Sequence, residues 1–494
     1  MDRLNPIDAQ FIDAEDRDRN TSMAIASIAV FEGPPPSYDE FVAEIARRLP
    51  LVPLYRKKLR TVALRLGPPV WVDDPHFDLR YHVRQTALQA PGGDEQLRKL
   101  MARVMAQRLD RDYPLWEYWL VEGLANGRWA LISKVHYCMV DGISGTDLYR
   151  IIFDTSPVPE PLPDGLAAAA ESSPVSPEPS ALRLAARSAL DAAMLPVREA
   201  SVLSGALANP GDALRQAAGT VMGLAKIAGA LRPATGSSLS GPIGAQRRYA
   251  CARASLDDVK TIKRELGGTV NDIVLAAISS GFRSLLLARG EQPQRHMVPS
   301  LVPVSVRAPG EENIYENRLT VILANLPVDI ADPADRLAAV RAELATLKAS
   351  KEAMVGEAMV SLGRYTPFPV ASLGARLAYG LPQREIVTVT TNVPGPRQQL
   401  YALGRRLVEI IPYVPIATTL RTGIAIFSYC GSLTFGITGD YATNPDLEVL
   451  AQGIESGISE LLKAALHSAG HGSQNGSEPA ATAAGPEPEK RDQD

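Results

Sequence analysis

The chain has 494 residues, of which 46% are hydrophobic and 21% charged, and its formal net charge is −4 from 51 Lys and Arg against 55 Asp and Glu. These are globular values, which exclude a wholly disordered chain, a collagen-like repeat and a continuous coiled coil. Nor is there an electrostatic case for nucleic acid or for a polybasic membrane anchor, because no basic excess exists.

At roughly 100–200 residues per domain, the length allows about two to four domains, each with its own core. The three cysteines, Cys138, Cys251 and Cys430, are far apart and lack metal spacing. Neither a disulfide framework nor a metal site is expected. No run reaches the roughly 18 consecutive apolar residues of a membrane helix. The early apolar stretch from Met23 to Phe31 follows acidic sequence rather than a basic leader, so the expected location is cytoplasmic.

Residues 1–158 mix strand and helix signals. The first apolar run, 23–31, predicts a buried strand, and Gly33-Pro34-Pro35-Pro36 predicts a turn. A helix is expected from Ser37, where Ser37 and Glu40 have the spacing of a capping box. A second helix is expected over 96–109. Two β-rich runs at 117–122 and 128–135, separated by Ala125-Asn126-Gly127, predict a hairpin. Trp116 and Trp119 are expected on one strand face, in the core. The second strand runs out into His136-Tyr137-Cys138-Met139-Val140-Asp141-Gly142 before a helix near 145–153. A strand that opens into a polar, glycine-containing loop is a common place for chemistry.

Residues 159–240 are rich in Ala, Pro, Ser and Gly, with helical patterns at 181–195 and 212–231. Their expected role is to pack on a domain, with membrane or lipid-droplet contact as the less favoured reading. Residues 241–466 again alternate. Strands are expected near 249–254, 297–305, 319–328, 386–393, 423–429 and 433–438, and helices near 256–266, 271–288, 334–350 and 446–465. The same mixture in both halves suggests two similar α/β layers. The tail, 467–494, has no Val, Ile, Leu, Met or aromatic residue, and disorder is expected there.

The stretch from Lys134 to Leu148, K-V-H-Y-C-M-V-D-G-I-S-G-T-D-L, resembles the H-H-x-x-x-D-G motif of the acyl-CoA-dependent acyltransferases. Further elements narrow the resemblance. Pro114-Leu115-Trp116-Glu117 resembles a P-L-W element, and Asn271-Asp272 resembles an N-D element. L-V-P-V-S-V-R, ending at Arg307, and Asn392-Val393-Pro394-Gly395-Pro396 match two more. The opening L-N-P-I-D-A-Q-F and W-V-D-D-P-H-F-D-L-R-Y-H-V from Trp71 complete the set. Together, over about residues 4–440, they resemble the bacterial wax ester synthase/diacylglycerol acyltransferase family, in particular its actinobacterial triacylglycerol synthases.

The resemblance implies an α/β fold of two chloramphenicol-acetyltransferase-like domains with an active-site tunnel between them. It also implies acyl transfer from acyl-CoA to diacylglycerol, giving triacylglycerol, with wax esters as a second product. Acyl-CoA is a substrate there, and no metal or cofactor is implied. The partners are acyl-CoA and diacylglycerol or a long-chain alcohol, with peripheral contact at the inner membrane or lipid droplets left open.

In that family the second histidine of the pair removes the acceptor's proton, and the aspartate, here Asp141, holds the loop. In this chain the first position is His136 but the second is Tyr137. A phenol of ordinary pKa about 10 is only about one part in a thousand ionised at pH 7. Strand geometry would turn neighbouring side chains to opposite faces, so His136 does not simply take over. Three accounts stand at this point: a twist that brings His136 in, Tyr137 as base or hydrogen-bond donor, or a weakened lipid- or acyl-CoA-binding relative. Asp141 is expected to form an ion pair, Gly142 to permit the turn into the helix, and Cys138 to be a buried small hydrophobe. Asn271 and Asp272 are expected to cap a helix, and Asn392, Pro394 and Gly395 to form a rigid turn.

Overall fold

The computed structural model describes residues 3–62, 67–140, 152–159, 183–184, 186, 237–305, 319–349 and 386–474. Among these, the chain opens with α1 (Pro6–Arg17), β1 (Ala24–Phe31), α2 (Tyr38–Arg48), β2 (Lys57–Arg60), β3 (Val70–Asp73), α3 (Leu79–His82) and β4 (Val83–Ala87). It continues with α4 (Asp94–Ala106), β5 (Trp116–Leu124), β6 (Arg128–His136) and β7 (Arg247–Ser255). Next come α5 (Leu256–Leu266), α6 (Val270–Ala288), β8 (Pro299–Ser305), β9 (Leu319–Asn325) and α7 (Pro333–Ala349). The last elements are β10 (Thr388–Pro394), β11 (Tyr401–Ala402), β12 (Arg405–Tyr413), β13 (Thr422–Tyr429), β14 (Ser432–Asp440) and α8 (Leu447–Gln474).

These strands form two six-stranded sheets, ordered β11-β12-β1-β6-β5-β4 and β7-β14-β13-β10-β8-β9, plus the small pair β2-β3. β1 and β6 are central in the first sheet and are buried along most of their length, which explains the nearly continuous apolar sequence of β1 and the apolar Trp129–Ile132 of β6. The expected hairpin is β5–β6, turned by Asn126 at φ 64° and Gly127 at φ 65°. In the second sheet the apolar helix α6 is buried from Asp272 to Phe282 and packs against α8. It is long and apolar enough to cross a membrane by composition alone, but most of it is buried inside the protein, so it is a core helix here.

The sheets do not follow the sequence halves cleanly. Residues 401–413 fall within 241–466, yet β12 pairs with β1 from Ala26↔Tyr413 to Phe31↔Leu407 and so completes the first sheet. The strand was not legible in the sequence because Pro412 argues against a central strand. The structure tolerates it because, among the described residues, β12 has a second strand neighbour only at Arg405 and Arg406.

That open edge is covered by side chains of the second sheet. The Tyr249 hydroxyl donates to the Pro412 carbonyl at 2.5 Å, and the Thr434 hydroxyl donates to the Ile410 carbonyl at 2.5 Å. Gly436 permits the approach, since a Cβ there would lie 1.6 Å from the Pro412 oxygen. Arg253 of β7 also binds both Glu409 of β12, at 2.5 Å, and Asp94 of α4, at 2.9 Å.

Three local expectations change. Ser37 caps α2 by accepting from the Glu40 N–H at 3.2 Å, but the Glu40 carboxylate pairs with Arg405 at 3.0 Å instead of closing a capping box. Trp116 and Trp119 lie on opposite strand faces, as an odd spacing requires. Trp116 is fully buried, whereas Trp119 is half-buried beneath the Arg84 guanidinium. Finally, α8 runs through Gln474, so residues 467–474 are helical rather than disordered. A helix already nucleated by a buried face extends cheaply, one hydrogen bond per added residue. The helices expected at 181–195 and 212–231 lie outside the described residues, apart from 183, 184 and 186.

Candidate active site

The motif begins where β6 ends. His136 is the last residue of the strand and pairs with Ala24 of β1, and Tyr137–Met139 then form a single 3₁₀ turn. The Tyr137 N–H continues the ladder by donating to the Met23 carbonyl at 2.9 Å. Helix α1 lies against this turn. It starts at an Asn5 cap, whose side-chain oxygen accepts from the Asp8 N–H at 2.7 Å, with Pro6 in its first turn. One face of α1 then presents Phe11 and Glu15, four residues apart.

His136 is 1% exposed. Its Nδ1 accepts from the Cys138 N–H at 3.2 Å, so the ring proton of the neutral form is placed on Nε2. Nε2 lies 3.4 Å from the Glu15 carboxylate, close enough to face it but without a well-aligned hydrogen bond. Glu15 also accepts from the Met23 N–H at 2.7 Å and from Arg111 at 2.9 Å, while Arg111 reaches Asp16 at 2.5 Å. Burial alone would raise the Glu15 carboxyl. His136, the Met23 N–H and Arg111 outweigh that and hold it near 2. Tyr137 is half-buried, with its ring 4.6 Å from that of Phe11, centroid to centroid.

Cys138 is buried, and burial next to Asp8 and Glu15 pushes its thiol well above the ordinary range. That suits a small core residue and not a nucleophile. One residue pair back along β6, Lys134 is 1% exposed and caps the end of α4, donating to the Val104 carbonyl at 2.9 Å and the Gln107 carbonyl at 2.6 Å.

The other sequence elements fall into three groups. Trp116 is fully buried, stacks between Tyr55 and His82 at 4.7 and 4.6 Å, and donates its indole N–H to the Tyr55 carbonyl at 2.8 Å. The P-L-W element and the run that contains His82 therefore meet in one aromatic stack of the first sheet. The opening element forms the start of α1, against the motif turn, and the remaining elements lie on the second sheet and its helices. Asp272 forms a full capping box with Thr269 at the start of α6, its carboxylate accepting from the Thr269 N–H at 2.7 Å. Asn271 precedes it in the same first turn. Asn392 and Pro394 close β10 opposite Ile426 and Ser428 of β13. At Gly395, which follows, a Cβ would lie 2.1 Å from the Ser428 carbonyl oxygen. Asp141, Gly142 and Arg307 lie outside the described residues.

Glu15 and Arg111 were missed in the sequence, although both bear directly on the motif turn. The available signal was an acid four residues after Phe11, on the helix face that also carries Ile12.

The nested pair of mixed sheets, with a histidine-bearing turn at the end of a central strand, defines a coenzyme A-dependent acyltransferase fold. Solved structures agree. The wax ester synthase/diacylglycerol acyltransferase from Marinobacter aquaeolei VT8 superposes with a TM-score of 0.64 at 26% identity, covering 94% of this chain and 99% of that one. The first condensation domain of the CDA synthetase gives 0.51 at 15% identity, covering 94% and 96%, and shares the fold.

The sequence profile of the wax ester synthase/diacylglycerol acyltransferase catalytic domain matches residues 4–274, and that of the family's C-terminal domain matches 315–462. The chain belongs to the wax ester synthase/diacylglycerol acyltransferase family. A probable diacylglycerol O-acyltransferase of Mycobacterium tuberculosis is 39% identical over 470 residues, 94% of this chain and 96% of its own. A putative diacylglycerol O-acyltransferase of the same organism is 32% identical over 472 residues, 94% and 91%.

Proposed function

We propose that the protein transfers an acyl group from acyl-CoA to the free hydroxyl of a diacylglycerol, giving triacylglycerol, with long-chain alcohols as a second acceptor class. The observation that carries this reading is the motif turn at the end of β6, inside a catalytic domain matched over residues 4–274. The acceptor oxygen attacks the thioester carbonyl carbon, a C–O bond forms, the C–S bond breaks, and coenzyme A leaves as its thiolate.

The proton lost by the hydroxyl must reach that thiolate. His136 is poorly suited to carry it, because its two nitrogens face the Cys138 N–H and Glu15 in a buried cluster. Tyr137 suits the task differently from a histidine. A phenolic hydroxyl both donates and accepts. It can take the acceptor's proton while passing its own to the departing thiolate, without ever resting as phenolate. Because diacylglycerol and triacylglycerol are water-insoluble, the workplace under this reading is a membrane or lipid-droplet surface reached from the cytoplasm.

The test is purified protein with labelled acyl-CoA and diolein, assayed beside Tyr137→Phe, Tyr137→His and His136→Ala. The expected order has Tyr137→His above wild type, His136→Ala below it, and Tyr137→Phe lowest. No product above a heat-killed control overturns the enzymatic reading. An unchanged rate in Tyr137→Phe overturns the role given to the phenol.

A further inference from the structure

From the contacts of the motif turn we infer that Glu15 is a positioning residue, which with His136 and Arg111 clamps α1 onto the turn and thereby sets where Tyr137 stands. The inference rests on the reading above for its catalytic part and on geometry for the rest.

Three links converge on one carboxylate. Glu15 accepts from the Met23 N–H at 2.7 Å, and the Met23 carbonyl in turn accepts from the Tyr137 N–H at 2.9 Å. A single peptide residue thus separates the carboxylate from the backbone of the tyrosine. Glu15 also faces His136 Nε2 at 3.4 Å, while Nδ1 of the same ring accepts from the Cys138 N–H at 3.2 Å. The histidine therefore ties the carboxylate to the residue on the far side of Tyr137. Four residues before Glu15 on the same helix face, Phe11 lies against the tyrosine ring itself, at 4.6 Å. Arg111, which follows α4, holds the other carboxylate oxygen at 2.9 Å and fixes its rotamer.

The backbone on both sides of Tyr137 and one face of its ring are thus referred to α1, with Glu15 at the junction. A buried carboxylate would be costly without such partners. With all of them present its effect is geometric. Small errors at a reacting group are expensive, so a clamp that removes them acts on turnover rather than on substrate affinity.

The experiment uses the full chain. Glu15→Gln keeps an acceptor for the Met23 N–H but removes the charge held by His136 and Arg111. Triacylglycerol synthesis is measured with acyl-CoA and diolein, and the position of residue 137 is read separately by ¹⁹F NMR of protein carrying 3-fluorotyrosine, with the resonance assigned by Tyr137→Phe. In Glu15→Gln the expected result is a kcat reduced about tenfold, a KM for acyl-CoA within twofold of wild type, and a displaced resonance for residue 137. His136→Gln, which keeps a donor at the Nε2 position, should retain several-fold more activity than His136→Ala.

If Glu15→Gln does not fold, Glu15→Asp carries the same test, since it keeps the charge but withdraws it by one methylene. An unmoved resonance overturns the clamp, as does a change confined to KM. A wild-type protein with no acyltransferase activity sinks the functional reading alone, because the ¹⁹F displacement still decides the geometric claim.

Discussion

The Tyr249 hydroxyl of β7 donates to the Pro412 carbonyl of β12 at 2.5 Å, and so joins the two sheets at a stretch of β12 that has no second strand neighbour among the described residues. Proline is tolerated in β12 because its missing N–H falls where, among the described residues, the strand has no second neighbour. Its carbonyl, however, needs a donor from somewhere, and the second sheet supplies one.

Tyr249→Phe removes that donor and leaves a buried carbonyl short of a partner. A cost of about 1–3 kcal/mol is expected, read as a lower urea midpoint at unchanged m-value. Gly436→Ala should be worse, because the added carbon would meet the Pro412 oxygen at 1.6 Å and the sheets would have to part. If Gly436→Ala is as stable as wild type, the close approach of β12 is not what joins the halves.

The stack Tyr55–Trp116–His82 gives a second prediction. Trp116→Phe loses the indole N–H donated to the Tyr55 carbonyl and part of the ring overlap, and should cost about 1–3 kcal/mol. Trp116→Ala should cost about 3–5 kcal/mol, through the cavity it leaves. The contact of His82 Nδ1 with the Trp116 carbonyl, at 2.8 Å, involves main chain and survives either change. Burial holds the His82 pKa below the ordinary imidazole value, against the opposing effect of that carbonyl contact. Titration of the Trp116→Phe protein by NMR should show His82 still titrating below the ordinary imidazole value, and a pKa raised above that value would contradict the packing described.

These two regions show what the sequence could and could not convey. The strands and helices with a strong period were legible: β1, the β5–β6 hairpin, α5, α6, β13 and β14 fall within a few residues of expectation. The motif elements were legible as a set, because each is a short string whose residues are fixed by local needs, such as the glycine at 395 or the capping aspartate at 272. What a one-dimensional pattern cannot carry is partnership across the chain. β12 is a run of strand-favouring residues interrupted by Pro412, and its place beside β1, Tyr249 and Thr434 is a partnership that the run itself does not display. Glu15 looks like one more acid on a charged helix until Met23, Arg111 and His136 close around it. The Trp116–Trp119 expectation failed for a simpler reason, since a spacing of three puts side chains on opposite faces of a strand.

Gly395 belongs to the legible group, and its geometry makes the reason testable. A Cβ there would lie 2.1 Å from the Ser428 carbonyl oxygen and 2.4 Å from the Phe427 ring. Gly395→Ala should destabilise by at least about 1–3 kcal/mol, as overpacking does. Because the nearer obstacle is backbone, Phe427→Leu should not rescue it in thermal unfolding. Rescue by that change would mean that the ring, and not the approach of β10 to β13, excludes the side chain.

Lys134 supplies a pH-dependent prediction with a definite sign. Burial lowers its pKa from 10.5 to about 8, against the weaker opposing pull of Glu117 at 4.0 Å. Between pH 8 and 10.5 the folded lysine is neutral while the unfolded one still holds its proton. The unfolded state therefore binds more protons in that window, and stability must rise with pH across it. A lowered pKa of a base contributes its full stabilisation only above the unfolded value, and that contribution is lost as pH falls through the folded one. The size is on the order of 3 kcal/mol. The amine can still donate to the Val104 and Gln107 carbonyls when neutral, so the cap on α4 is kept throughout. Chemical unfolding at pH 7.5 and pH 10 should show this rise in wild type relative to Lys134→Met, which removes the titrating group while keeping most of its volume. Parallel pH profiles for the two proteins would show that Lys134 titrates alike folded and unfolded, and would contradict the burial of its ammonium in the core.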